Sequence, residues 1–238
     1  MLTVIFSTIA SVASAVCSAI ATVATSVKPA VEAVASVLGP LSGKMLEAFK
    51  TVCTIIETIA KIFDIIPQSE ALPEFGERVL QAEEQGITLE SCNNDYQKYL
   101  EEIKKVEIDI NATHDETRQL AAGLCMAGKI LEMKDSRLTI MNPDSWKYLM
   151  MNPDFFKERL ILYANMAQEK DVNLGDVINT FFGRSGSFSD SIRAKNFLFE
   201  AEQRLHPEVS GSNIKSIILE ARDFIEQDKY FLTVKSRL

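Results

Sequence analysis

The sequence predicts an all-α protein, with a long apolar N-terminal helical arm followed by a multi-helix, bundle-like head. Two observations carry this. Apolar residues recur at helical spacing along the arm and in the head, whereas nothing in the head alternates with a period of two, Ile108–Ile110 being too short to count. Helix-starting Asn, Thr, Ser and Asp and helix-stopping Gly and Pro also cut the chain into helix-sized pieces. Residues 1–66 form the arm, 67–72 a linker and 73–238 an acidic all-helical domain.

The arm opens without a charged residue between Met1 and Val27. Ile5, Ile9 and Val12 recur as Val16, Ile20 and Val23, and again as Val27, Val31 and Val34, with Leu38 and Met45 following. That is an eleven-residue repeat, about 3.67 residues per turn, whose stripe drifts little along a helix and favours slight right-handed supercoiling. From Met45 the rhythm becomes a heptad: Met45, Phe49, Val52, Ile56, Ile59, Phe63 and Ile66, the spacing of a coiled-coil seam. Ile55 and Ile62 widen that stripe, and Lys44, Glu47, Lys50, Glu57, Lys61 and Asp64 lie off it, as on an amphipathic helix.

Pro29 cannot donate to the preceding turn and disfavours a helical Lys28, and Gly39-Pro40 is a stronger stop. Helices are therefore expected over 2–27, 30–38 and 41–66. Opposite the seam, Ser7, Ala10, Ser11, Ser14, Ala15, Ser18, Ala21, Thr22 and Thr25 are small and uncharged, the composition that lets a second helix approach closely.

In the head, Pro73 starts a helix that ends at Gln85 with Gly86 as its cap. The next helix starts at Asn93 or Asn94 and presents Tyr96, Leu100 and Ile103. Thr113–Glu116 has the form of a capping box and opens a helix through Leu120, Leu124, Ala127 and Leu131 to Lys134. Met141–Lys147 is repeated ten residues on as Met151–Lys157, and each Asn-Pro-Asp is a helix start, giving helices 143–150 and 153–169. Asn173 caps a helix over 174–182 closed by Gly183, and Arg184–Ser187 is a loop. Ser189 or Asp190 opens a helix to Leu205, stopped by Pro207, and Gly211 or Ser212 begins the last, which carries Ile214, Ile217, Ile218, Ala221, Phe224 and Ile225.

Residues 1–66 carry four Lys and four acids, so the head holds the whole net charge of −8. An acidic head offers no basic face to displace counterions from nucleic acid. The small basic-aromatic end at Lys229, Tyr230, Phe231, Lys235 and Arg237 reads as a solvated terminus. Cys17, Cys53, Cys92 and Cys125 form no C-x-x-C and read as structural thiols. The two histidines, His114 and His206, stand at a helix start and before a proline, without the company that metal or nucleophile chemistry needs. Gly39–Lys44 fails as a phosphate loop on spacing, on Met45 and on the lack of a preceding strand. Asn111-Ala112-Thr113 matches a glycosylation sequon but is also the lead-in to a helix. No catalytic residue, cofactor, metal or small-molecule substrate is indicated.

The expected function is association without catalysis. In the first reading the arm inserts into or lies on a bilayer after release from a shielded state, and the head docks a protein partner or regulates, as in a membrane-active effector or anchored adaptor. In the second it is buried between identical subunits of a structural or cargo component, of the phage-tail or injection-machine type. A signal peptide or a plain core helix are the remaining options for residues 1–27. Length suits a membrane span, but nine Ser and Thr in the first 27 residues and the absence of a preceding Lys or Arg weaken it. The protein is accordingly expected to be membrane-associated or soluble within a large assembly, without a clear secretion signal. On these readings Val16→Asp or Ile20→Asp should disable the arm and leave the head folded.

Overall fold

A computed structural model describes residues 2–41, 43–134, 143–181, 188–211 and 213–220. The side chains of residues 2–6, 143–145, 148 and 188–191 lie outside the description, as do the expected Arg184–Ser187 loop and the tail from Ala221 onward. The described residues are helical, without strands: α1 (Leu2–Thr22), α2 (Val27–Leu38), α3 (Gly43–Ile62), α4 (Leu72–Glu84), α5 (Tyr96–Ile103), α6 (Glu116–Lys134), α7 (Pro143–Met151), α8 (Pro153–Lys170), α9 (Leu174–Phe181) and α10 (Phe188–Leu205). Residues 213–220 are also helical.

The axis of the fold is α6. It carries no charge from Leu120 to Gly128, and Ala121 through Gly128, Ile130 and Leu131 are all buried. A helix that is apolar around its whole circumference belongs inside a protein. Around it stand α1, α2, α3 and α4. The α4–α6 crossing is the closest, because Gly76 and Gly123 bring backbone against backbone. On the far side of α3 lies α8, which carries α9 and α10, and α7 bridges α1 and α3.

The helix ends show where local signals held and where they shifted. Pro29 does not end a helix. It occupies the first turn of α2, where no donor is required, and the break falls earlier, between Thr22 and Val27. Gly39 ends α2 as expected, its N–H on Ala35 O at 2.9 Å. The third helix stops at Ile62 and not at Ile66, because Asp64 turns left-handed (φ 57°) and the Ile65 N–H returns to Ala60 O at 2.8 Å. Asp95, not Asn93 or Asn94, caps α5, accepting from the N–H groups of Gln97 (2.9 Å) and Lys98 (3.1 Å); the two asparagines are themselves left-handed. Asp115 replaces Thr113 as the cap of α6, accepting from the Arg118 N–H at 3.1 Å. Asn173 caps α9 as expected, through the Asp176 N–H at 3.1 Å.

The arm does not stand apart from the head. The seam expected to face lipid or a neighbouring subunit faces this chain's own α6, α7 and α8, so residues 1–66 and the acidic helices share one core. The cause is complementarity: α6 supplies a second charge-free surface, and burying a Val or Ile there stabilises by about 1.5–3 kcal/mol per side chain, as it would elsewhere.

Candidate association surface

Of the sixteen seam positions, fifteen have described side chains, and these lie in or against this chain's own core. Ile9, Val12, Val16, Ile20, Val23, Val27, Val31, Val34, Phe49, Val52, Ile56, Ile59 and Ile66 are buried, and Met45 and Phe63 are half-buried against the core. Only Ile5 lies outside the described side chains. Within the arm α1 lies on α2, and the arm meets the rest of the chain where α1 packs on α6 and α7, α2 on α6 and α4, and α3 on α8, α6 and α7.

Opposite the seam, the surface is one that sequence reasoning singled out for its lack of charge. Ser7, Ser11, Ser14, Ser18, Ala21, Thr22 and Thr25 are exposed, and Ala10 and Ala15 half-buried. Many hydroxyls on the outer sides of the first three helices turn back onto their own backbone. Ser11 donates to Ser7 O at 2.9 Å, Thr22 to Ser18 O at 3.1 Å, Ser36 to Ala33 O at 2.8 Å, Thr54 to Lys50 O and Thr51 to Glu47 O at 3.0 Å, and Thr58 to Thr54 O at 2.8 Å. A hydroxyl satisfied within its own helix can leave water without stranding a donor, which removes the main cost of desolvating it.

Polar contacts clasp the arm at its rim. The Glu83 carboxylate of α4 sits at the N-terminus of α2, accepting from Ser26 Oγ at 2.5 Å and from the N–H groups of Val27 at 3.1 Å and Lys28 at 3.0 Å. Ser26 itself makes no side-chain cap, so Glu83 does the capping from 57 residues away. Beside it Lys28 pairs with Glu84 at 3.1 Å, and the Glu90 N–H donates to Ala24 O at 3.1 Å. Arg118 of α6 forks onto Glu32 of α2 (2.6 and 3.0 Å) and also binds Asp115. Its guanidinium holds both carboxyls below the usual carboxylate range. Further on, the Leu72 N–H donates to Glu57 at 3.0 Å, and Lys134 Nζ donates to Phe63 O at 2.6 Å while lying over the Phe63 and Tyr96 rings.

Both histidines, His114 and His206, lie beside buried carboxylates that tie helices together. His114 serves the α4–α6 junction. Its N–H and ring meet the buried Glu77 carboxylate at 3.0 and 3.2 Å, and Gln81 and Gln119 donate to the same carboxylate at 2.6 and 3.2 Å. Burial pushes the Glu77 carboxyl up, but the hydrogen bonds from His114, Gln81 and Gln119 outweigh it and leave it below its ordinary value of 4.5. A lowered folded-state value means that this stability is present above that ordinary value and is lost as pH falls through the lower one. Urea midpoints of the parent should therefore decline on acidification below about pH 4.5, and Glu77→Gln should flatten part of that decline while lowering the neutral-pH plateau.

His206 neighbours a second buried group, Glu202, which accepts a fork from Arg159 at 3.1 and 3.2 Å and the Tyr163 hydroxyl. This ties α8 to α10. Burial pushes the Cys17 and Cys125 thiols up to about 12, and that of Cys53 higher still. Among the described residues no cluster of His, Cys, Asp or Glu could hold a metal ion, and no helix is long and apolar enough to cross a membrane.

The sequence pattern located the seam and the uncharged outer face, but it missed Glu83, Arg118 and the core role of α6. The charge-free run Leu120–Gly128 was the available signal for the last of these; for Glu83 there was none. No family model, no curated protein and no solved structure matches this chain.

Proposed function

We propose that this is a non-enzymatic protein that acts by association: residues 1–66, shielded against the rest of the chain, are released onto a lipid surface, and the acidic helices dock a protein partner or regulate that release. The observation that carries the reading is the outer side of α1 and α3, where exposed and half-exposed hydroxyls are bonded to their own helices. Together with the aliphatic seam, this makes helices whose buried and exposed sides both tolerate a medium without water. Lying in the interface asks less of them than spanning, since the Lys and Glu of α3 can stay at the headgroup level.

Flotation with phosphatidylcholine–phosphatidylglycerol vesicles tests it on the full chain. The intact protein should float. Locking the turn after α1 to the segment after α4, by Ala24→Cys with Glu90→Cys in a Cys92→Ala background, should abolish flotation until the disulfide is reduced. The Ala24–Glu90 backbone bond of 3.1 Å holds the two positions side by side. A second reading is favoured by the small residues of the same outer face: Ser7, Ser11, Ser14 and Ser18 would let α1 of a second copy approach closely. A large oligomer that ignores vesicles supports that assembly reading, and a monomer that ignores them overturns both.

A further inference from the structure

The turn between α1 and α2 is held in an unusual way. Its helix start has a serine in the capping position that does not cap, and the acceptor comes from another helix altogether. One carboxylate, Glu83, takes both free N–H groups of Val27 and Lys28 and the Ser26 hydroxyl, so three donors of the arm converge on one side chain of α4. A negative charge there also meets the positive end of the α2 dipole. The neighbouring contacts are weaker in kind. Lys28–Glu84 and Arg118–Glu32 are exposed and screened by salt.

We propose that Glu83 is a latch: its carboxylate on the α2 N-terminus sets how readily the α1–α2 hairpin lifts away from α4 and α6. Opening at this turn separates α1 from α6 and α7, and α2 from α4 and α6, while Gly43, left-handed at φ 54°, gives the chain a natural pivot between α2 and α3. When Glu83 is lost, the N–H groups of Val27 and Lys28 must find water. The Lys28 N–H is already exposed and that of Val27 part-buried, but only the closed state offers either of them a charged acceptor, so the loss falls on the closed state. The biological use of the latch, control of exposure of the apolar hairpin, rests on the membrane reading above; the latch itself does not.

The native thiols report on it without any added probe site. Cys125 is buried in α6 and Cys17 is half-buried in α1, so both react slowly while the hairpin is closed. Glu83→Gln should raise their labelling by a water-soluble disulfide reagent by about tenfold, the scale of one lost charge-assisted hydrogen bond. The increase should grow with urea less steeply than global unfolding does, which marks opening of the hairpin alone. Ser26→Ala, which removes one donor and leaves the carboxylate on the backbone, should give a smaller rise and serves if Glu83→Gln folds poorly. Unchanged labelling in both variants, or a rise that follows global unfolding in urea, overturns the latch. Faster labelling without increased vesicle flotation leaves the latch standing and removes the membrane reading. Faster labelling with increased flotation upholds both.

Discussion

Replacing Gly123 by alanine should unfold this protein or cost it well over about 3 kcal/mol, a larger penalty than ordinary overpacking gives. In an exposed helix the same change stabilises by about 1 kcal/mol, so the expected sign is reversed. A Cβ at Gly123 would sit 2.2 Å from Leu72 O, and one at Gly76 would sit 1.8 Å from Gln119 O and 2.6 Å from the Gly123 nitrogen. These neighbours are backbone, so no rotamer change relieves the clash. The only relief is to part α4 from α6, which would also pull Glu77 from His114 and loosen the seat of Glu83. Gly39→Ala is the control: its added Cβ would meet Ala35 O at 3.5 Å, an ordinary contact, and its backbone is already right-handed. Urea unfolding followed by circular dichroism reads both; a Gly123→Ala variant within about 1 kcal/mol of the parent would refute the α4–α6 crossing as described.

The second large effect is expected at Val16. The side chain is fully buried where α1 meets the core, so Val16→Asp places an uncompensated carboxylate among aliphatic groups, at a cost of several kcal/mol. Because α6 is shared between the N-terminal helices and the rest, the loss should spread to the whole chain. Helical signal should fall throughout, and not only by the share belonging to residues 1–66. This reverses the expectation from sequence that such a variant would silence an arm and spare a head. Ser14→Asp, two residues away on the exposed face, should change stability by no more than about 0.5 kcal/mol. If the outer face meets lipid, the same Ser14→Asp should nevertheless reduce flotation, since a fixed charge is then carried into the interface.

Much of the helical framework was legible from local order. Asn173 at the start of α9, Pro143 and Pro153 at the starts of α7 and α8, Gly86 after α4 and Gly39 after α2 all act within about four residues of themselves, and sequence shows them directly, although Asn152, expected to cap α8, makes no side-chain cap bond. The misplacements were local competitions. Thr113 lost to Asp115, Asn93 and Asn94 to Asp95, and Pro29 was read as a stop because its first-turn role looks the same from sequence alone.

The sequence by itself determined that the protein is helical, that an apolar seam with one miss at Ser42 runs from Ile9 to Ile66, and that the opposite face of α1 has no charge. Periodicity and capping are short-range, so they survive being read in one dimension. What covers the seam was decided by the tertiary structure alone. Hydrophobic burial is non-directional, and a row of Val and Ile is served equally by lipid, by another subunit or by α6. The choice of α6 depends on backbone approach at Gly76 and Gly123 and on a Glu83 carboxylate meeting a helix end 57 positions away, relations that exist only once the chain is folded.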